Sequence, residues 1–411
     1  MNNQDTGLQR RLGLGLLTLY GLGTTVGAGI YVLVGKIAER AGEFAPVSFL
    51  LAAFLVGFTA LSYAELSSRY PKSAGAAVYV SEGFALPALA IIVGLLVIAA
   101  GVVSSATLVQ GFAGYFGELA ALPKWVLSLA AVAVLVAVAC WGIGESVIIA
   151  SLLTLLEVGG LGMVIWAGRE TLIDPAAVWA VLTAPLQAAP WSGILAGSFL
   201  AFFAFIGFED IVNVAEEVKD ERRTLPTAIG LTLGLTAVLY LAVAAVAVYA
   251  MPAADLAASP APLVEIYERK TGQAGTVLVL IGTFAVINGA LIQIIMAARV
   301  VYGMASQGWL PTAVASVNTR TRTPVTATFI IGGVVLALAL AGELEVLAQT
   351  TTVFILCVFT LVNAALFRIK WRGSVPSGSL TVPLWVPATG AVTSAVFLVL
   401  TVADLLATAG G

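Results

Sequence analysis

The sequence predicts an all-α integral membrane protein, and three observations carry that prediction. Apolar residues make up 60% of the chain and charged residues only 10%, against roughly 45–50% and 25% in soluble domains. The apolar residues gather into eleven runs, each near the roughly 20 residues that a bilayer-spanning helix needs. Two of these runs, the first and the sixth, are interrupted by glycine or acidic residues where a plain span stays apolar.

The runs lie near residues 13–35, 44–68, 86–113, 123–142, 146–167, 191–218, 227–250, 275–304, 325–342, 344–368 and 382–407. Within the first, Gly21, Gly23, Gly27 and Gly29 fall in nine positions. Each glycine costs a helix roughly 1 kcal/mol relative to alanine, so this helix is predicted to come apart. Gly23 and Gly27 also form a GxxxG pair, which reads equally as a packing motif. The sixth run reads Phe202 to Asp210 with Gly207, Glu209 and Asp210 inside it. Freed backbone groups are tolerated at membrane depth only beside protein partners or a water-filled cavity. Matching interruptions in two halves of a chain therefore point to a transporter with a midplane binding site.

The remaining stretches fit this reading. The run after Arg10 and Arg11 leads directly into further spans, as an uncleaved first helix does. Pro71 to Gly75 is a turn signal, and the loop Asp255 to Gly272 contains a possible short helix around Leu263 to Arg269. Lysine and arginine favour cytoplasmic loops. With the N-terminus inside, thirteen of the nineteen basic residues fall on the cytoplasmic side, and an odd number of spans puts the C-terminus outside. A net charge of −3 without a basic tract gives nucleic acid no footing. There is no histidine, so the commonest general base and metal ligand is missing and protons would have to travel on carboxylates. Cys140 and Cys357 sit in apolar runs without metal-ligand spacing and read as packing thiols. No cofactor, metal site or catalytic constellation is expected, and an enzyme is the weakest reading.

The ordered motifs add a resemblance. Val26-Gly27-Ala28-Gly29-Ile30-Tyr31, Ser62-Tyr63-Ala64-Glu65-Leu66, Arg69-Tyr70-Pro71 and Gly75 to Val80 are followed by Phe203 to Asp210, Ala215 to Lys219 and Arg223-Thr224-Leu225-Pro226. Arg299 to Ala305 and Gly308-Trp309-Leu310-Pro311 complete the set. Together they resemble the amino acid–polyamine–organocation superfamily, the amino acid permeases. The resemblance implies a LeuT-like fold: a five-plus-five inverted repeat with discontinuous helices 1 and 6, in a single membrane domain over 1–411. Repeat one would span about 13–167 and repeat two about 191–368, with an extra helix at about 382–407. Relatives usually carry twelve or more spans, which leaves the side of the C-terminus and the oligomeric contacts open.

A free amino acid carries a carboxylate and an ammonium group. Half-helix N-termini suit the first through unpaired N–H groups and a positive dipole end, which points to Val26, Gly27, Ala28, Gly29 and Ile30. By resemblance, the carbonyls of Phe203, Ala204 and Ile206 take the ammonium, and Phe203 is the gating aromatic. Glu157, central in the fifth run, is an intramembrane acid and hence a functional candidate. By resemblance its place lies next to spans one and eight, where proton-coupled relatives can hold a lysine; the carboxylate departs from that pattern and would carry a proton or help hold a cation. Glu209 is the second coupling candidate, its alternative being a solvated charge in an aqueous vestibule. Glu65, Glu216 and Glu217 lie at span ends, suited to capping, loop pairing or solvation, and Arg299 to pairing near the inner face. Ser104, Ser105, Asn288 and Gln293 are pocket candidates that helix–helix hydrogen bonding explains as well. With no deep basic residue and no acidic cluster beyond Glu209, a neutral L-amino acid is the expected substrate, driven by protons, with sodium as the alternative ion. Exchange of amino acids or amines competes with symport, and a channel or substrate-sensing receptor is the alternative of another class. The plasma membrane is the expected location.

Overall fold

The computed structural model describes residues 8–120, 122–173, 191–259, 261–341, 344–373 and 379–409. Helices α1 (Leu14–Thr25) and α2 (Gly27–Ala41) make the first span and α3 (Ala45–Arg69) the second. Short α4 (Gly75–Phe84) precedes α5 (Pro87–Ala120), α6 (Lys124–Trp141) and α7 (Ile143–Ala167), the third to fifth spans. The sixth is α8 (Trp191–Ala204) followed by a 3-10 segment, Phe208–Glu217, and the seventh is α9 (Glu221–Ala250). After α10 (Ala253–Ala258) and α11 (Pro262–Thr271) come α12 (Thr276–Ser306), α13 (Val325–Ala341), α14 (Leu344–Trp371) and α15 (Trp385–Ala409).

All eleven apolar runs are thus helical. Among the described residues, nine helical stretches are long and apolar enough to cross a bilayer. The two that fall short are α1, cut off at 12 residues, and α13, at 17 residues. The connector at Gly342 and Glu343 lies outside the described residues. In the loop after α9 the structure has two short helices, α10 and α11, where the sequence suggests one. Phe54, Trp141, Val238 and Phe329 are more than half exposed on outer faces, as fits a protein whose solvent there is hydrocarbon.

Packing follows the repeat. Helix α3 lies on α9, α5 on α12 and α6 on α13, so members of the first five-span set pack against their counterparts in the second. The interior of this bundle is mainly apolar, with a few buried polar groups near the interrupted spans, and one end of it carries buried ion pairs. Glu65 pairs with Arg69 and Lys370 and accepts the Val382 N–H at 2.7 Å, tying α3, α14 and the approach to α15 together. Glu217 pairs with Arg299 at 3.2 Å, both fully buried. Its carbonyl accepts the N–H groups of Arg11 and Leu12 at 2.9 Å, and Lys219 returns a bond to Leu12. Glu65 and Glu217 are therefore pairing residues rather than solvated ones. Removing one partner of such a pair costs about 3–5 kcal/mol, because the other charge stays buried.

Candidate functional site

The two interruptions are of different kinds. In the first span the break is one residue wide: Val26 keeps helical dihedrals (φ −73°, ψ −23°), and its N–H still reaches the Leu22 carbonyl at 2.7 Å. Helix α2 then starts afresh at Gly27 with no side-chain cap. The first N–H groups of a helix have no partner within it, so those of Gly27, Ala28 and Gly29 face the break.

In the sixth span the chain leaves helix for three residues. Helix α8 ends at Ala204, Gly207 takes φ +127°, and the backbone resumes as a 3-10 segment. Glycine is required at that φ, and also by space. A Cβ on Gly207 would lie 2.8 Å from the Thr24 carbonyl carbon and oxygen. The two interruptions touch at this point. The Thr24 hydroxyl lies 2.9 Å from the Gly207 carbonyl, and the Gly207 N–H donates to Glu209 Oε2 at 2.8 Å.

Two adjoining cavities, of about 160 and 200 Å³, open against this junction. The first is lined by Gly27, Gly29, Phe203, Ala204 and Ile206 together with Ser104 and Gln293. Phe203 and Ile206 also line the second, which reaches Glu209 and Asp210. Five of the sequence-predicted binding residues and Glu209 are thus brought together. Val26 and Ile30 are fully buried and line neither cavity, and the side chain of Ala28 lies outside the described residues. Of the three carbonyls assigned to the ammonium group, two are already engaged. That of Phe203 accepts the Ile206 N–H at 3.2 Å and that of Ala204 faces the Tyr240 hydroxyl at 3.0 Å. Each retains a second lone pair.

Glu209 and Asp210 are 5% and 2% exposed, not open vestibule charges. Asp210 accepts a 2.7 Å bond from Gln293 on α12. Glu157 is fully buried on α7 and lines neither cavity. Its Oε1 accepts from Asn288 of α12 at 2.9 Å, and its backbone carbonyl accepts from the Tyr31 hydroxyl of α2 at 3.2 Å. The Asn288 amide also donates to Thr154 at 3.0 Å. Two buried acceptors in this group have no hydrogen-bond partner among the described residues, Glu157 Oε2 and Asn288 Oδ1.

Sequence reasoning missed Tyr240. Its hydroxyl, buried on α9, lies 2.7 Å from the Thr25 carbonyl and 3.0 Å from that of Ala204, the last carbonyls of α1 and α8. The available signal was a tyrosine in an otherwise apolar run, since a buried phenol needs a partner. It also left the GxxxG pair open. Gly23 packs with no room for a Cβ against Thr154, Ile292 and Asn288, whereas a Cβ on Gly27 would meet nothing within 4 Å.

Comparison with known proteins agrees with this architecture. A family profile described as amino acid permease matches residues 14–408. Similar curated proteins include cationic amino acid transporter 3, mitochondrial, of Arabidopsis thaliana, 32% identical over 89% of this chain and 63% of its own length. The branched-chain amino acid permease BcaP of Bacillus subtilis is 28% identical over 89% of this chain and 82% of its own. The chain spans a little over three fifths of the Arabidopsis relatives it matches. Among solved structures, MhsT in complex with L-phenylalanine superposes with a TM-score of 0.63 at 15% identity, covering 96% of this chain and 98% of that one. The shared architecture is the LeuT-like fold.

Proposed function

Since the chain belongs to the amino acid permease family, whose profile runs through residues 14–408, we propose that it is a secondary transporter moving amino acids by alternating access, with proton-coupled uptake of neutral L-amino acids. The observation that carries this reading is the 160 Å³ cavity set between the start of α2 and the end of α8. The start of α2 offers N–H groups and a positive dipole end to a carboxylate. The carbonyls at the end of α8 suit an ammonium group. The cavity is lined by small and neutral residues such as Gly29, Ala204, Ala285 and Gly289, with Phe203 shared between it and the second chamber as a gating aromatic. The volume is that of about five water molecules, which favours a small side chain.

Coupling is assigned to Glu157 and Glu209. A carboxyl oxygen left without a donor in a buried site is where one proton or a small cation restores the balance, and Glu157 Oε2 with Asn288 Oδ1 meets that description. The contacts of Glu157 to α2 and α12 link its state to the break in the first span. Glu209 holds the N–H of Gly207, so its charge bears on the break in the sixth.

A second reading, a cationic amino acid or amine moved by uptake or exchange, is favoured by Glu209 and Asp210 in the 200 Å³ chamber and by the similarity to the cationic amino acid transporters of Arabidopsis. The location proposed is the plasma membrane with the N-terminus cytoplasmic. The test is reconstitution of the purified protein and uptake of radiolabelled alanine, serine, leucine and arginine, with and without an inward proton or sodium gradient. Saturable, proton-driven uptake of a neutral amino acid is expected. Sodium-driven uptake, or arginine preferred over all neutral substrates, would replace the specific reading. Absence of saturable uptake or exchange of any of them would end the general one.

A further inference from the structure

A third cavity, distant in sequence from the transport site, lies on the surface between α4, α14 and α15. It measures about 620 Å³, larger than either solute cavity. Ala364, Ala388 and Ala391 form a smooth apolar wall along it. At one end stand three aromatic rings: Phe84, and Phe367 stacked on Trp371 with centroids 5.9 Å apart. Trp371 is 74% exposed, at the helix end where a tryptophan marks the headgroup level.

The charge at that end is unbalanced. The Arg368 guanidinium sits 5.3 Å over the Phe84 ring, and exposed Arg372, just past the end of α14 and outside the groove's lining, donates its backbone N–H to the Arg368 carbonyl at 3.2 Å. Neither makes an ion pair among the described residues. Lys370, between them in sequence, turns the other way to Glu65 and is spent on that pair. An exposed apolar trough ending in two uncompensated cations fits an occupant with an apolar chain and an anionic head. A protein partner would have to bring both an apolar helix and an acid at one level. An anionic lipid supplies the two in one molecule, and the loop charges put this end in the cytoplasmic leaflet, where such lipids and basic juxtamembrane residues meet.

We propose that this groove is a binding site for one anionic glycerophospholipid, its acyl chain along Ala364, Ala388 and Ala391 and its headgroup phosphate on Arg368 and Arg372. Because the groove joins α4 and the ends of α14 and α15, a lipid there clamps the tenth and eleventh spans together. The inference does not depend on which solute is carried.

Native mass spectrometry of the full chain in detergent, with phosphatidylglycerol or phosphatidylcholine of identical acyl chains added, tests it. A basic residue near an anionic surface contributes about 1 kcal/mol, or about fivefold, so phosphatidylglycerol should be retained preferentially. Arg368→Gln with Arg372→Gln should cut that retention roughly 25-fold and lower phosphatidylcholine, whose choline offsets the phosphate charge, much less, so that the preference between the two lipids is lost. Ala391→Trp, which fills the trough without touching charge, should displace the lipid as well; Ala391→Leu replaces it if the larger variant does not purify as a single species. Equal retention of the two lipids, or retention unchanged in the arginine pair or the trough variant, overturns the proposal. So does a dimer that the trough variant dissociates, which would give the groove to a second copy of the chain.

Discussion

The two interrupted spans look alike in sequence and differ in physical character. The first contains four glycines within nine residues and yet breaks at only one residue, Val26, whose dihedrals remain helical. The sixth contains one glycine at its break, and that glycine carries a backbone conformation closed to other residues. Glycine number therefore does not measure how far a helix opens. In the first span the glycines serve approach: Gly23 lets α7 and α12 in, and Gly27 leaves room beside the cavity. In the sixth, Gly207 bends the chain at a positive φ, so that the end of α8 and the acids at the start of the 3-10 segment line adjoining cavities.

Gly207→Ala breaks the comparison most sharply. The positive φ alone costs about 1–3 kcal/mol in a non-glycine residue, and the methyl group would press on the Thr24 backbone at 2.8 Å. Both breaks would shift together, so transport should vanish and the melting temperature in detergent fall by several degrees. An active, equally stable Gly207→Ala protein would show that the junction of the two breaks is not structurally required.

Next in size is Glu157→Gln. The amide fills the same volume but cannot take up or release a proton at this site, so gradient-driven accumulation in proteoliposomes should disappear while counterflow exchange persists. If the variant accumulates substrate with the pH dependence of the wild type, coupling lies elsewhere, and Glu209→Gln becomes the decisive variant. Tyr240→Phe should act through the break ends instead. It removes the one hydroxyl that meets both the Thr25 and Ala204 carbonyls, and leaving a buried acceptor unsatisfied costs about 1–3 kcal/mol. Thermal unfolding should register that loss, and the loss should shrink in the presence of saturating substrate if the ammonium group takes over those carbonyls.

The sequence made the spans and both breaks legible because bilayer thickness and helix propensity act locally, on composition within one run. Gly27, Gly29 and the acids after Gly207 could be placed near one another for the same reason: each sits at an interruption, and interruptions need a common cavity. Phe203, Ala204 and Ile206 are singled out by the family resemblance alone. Tyr240 could not be placed, because its role depends on which turn of α9 faces both helix ends. Nor could the burial of Glu209 and Asp210, which a linear reading leaves open between a vestibule and a closed chamber. The Glu157 environment was only half visible. Its depth follows from position in the run and Thr154 is one turn back on the same helix, whereas Asn288 and Tyr31 arrive from two other elements, α12 and α2.

The smallest effect is the most discriminating for the first span. Gly27→Ala adds a methyl group where nothing lies within 4 Å, and alanine is the better helix former by about 1 kcal/mol. The fold should therefore hold or gain slightly in melting temperature. The added methyl group enters the 160 Å³ cavity that Gly27 lines, so the apparent KM should rise, more for leucine than for alanine as substrate, with Vmax changing less. That pattern separates a glycine kept for a ligand from one kept for packing. A Gly27→Ala protein that is destabilised while retaining its KM would assign Gly27 to helix contact, as Gly23 is, and would move the carboxylate end of the site away from the start of α2.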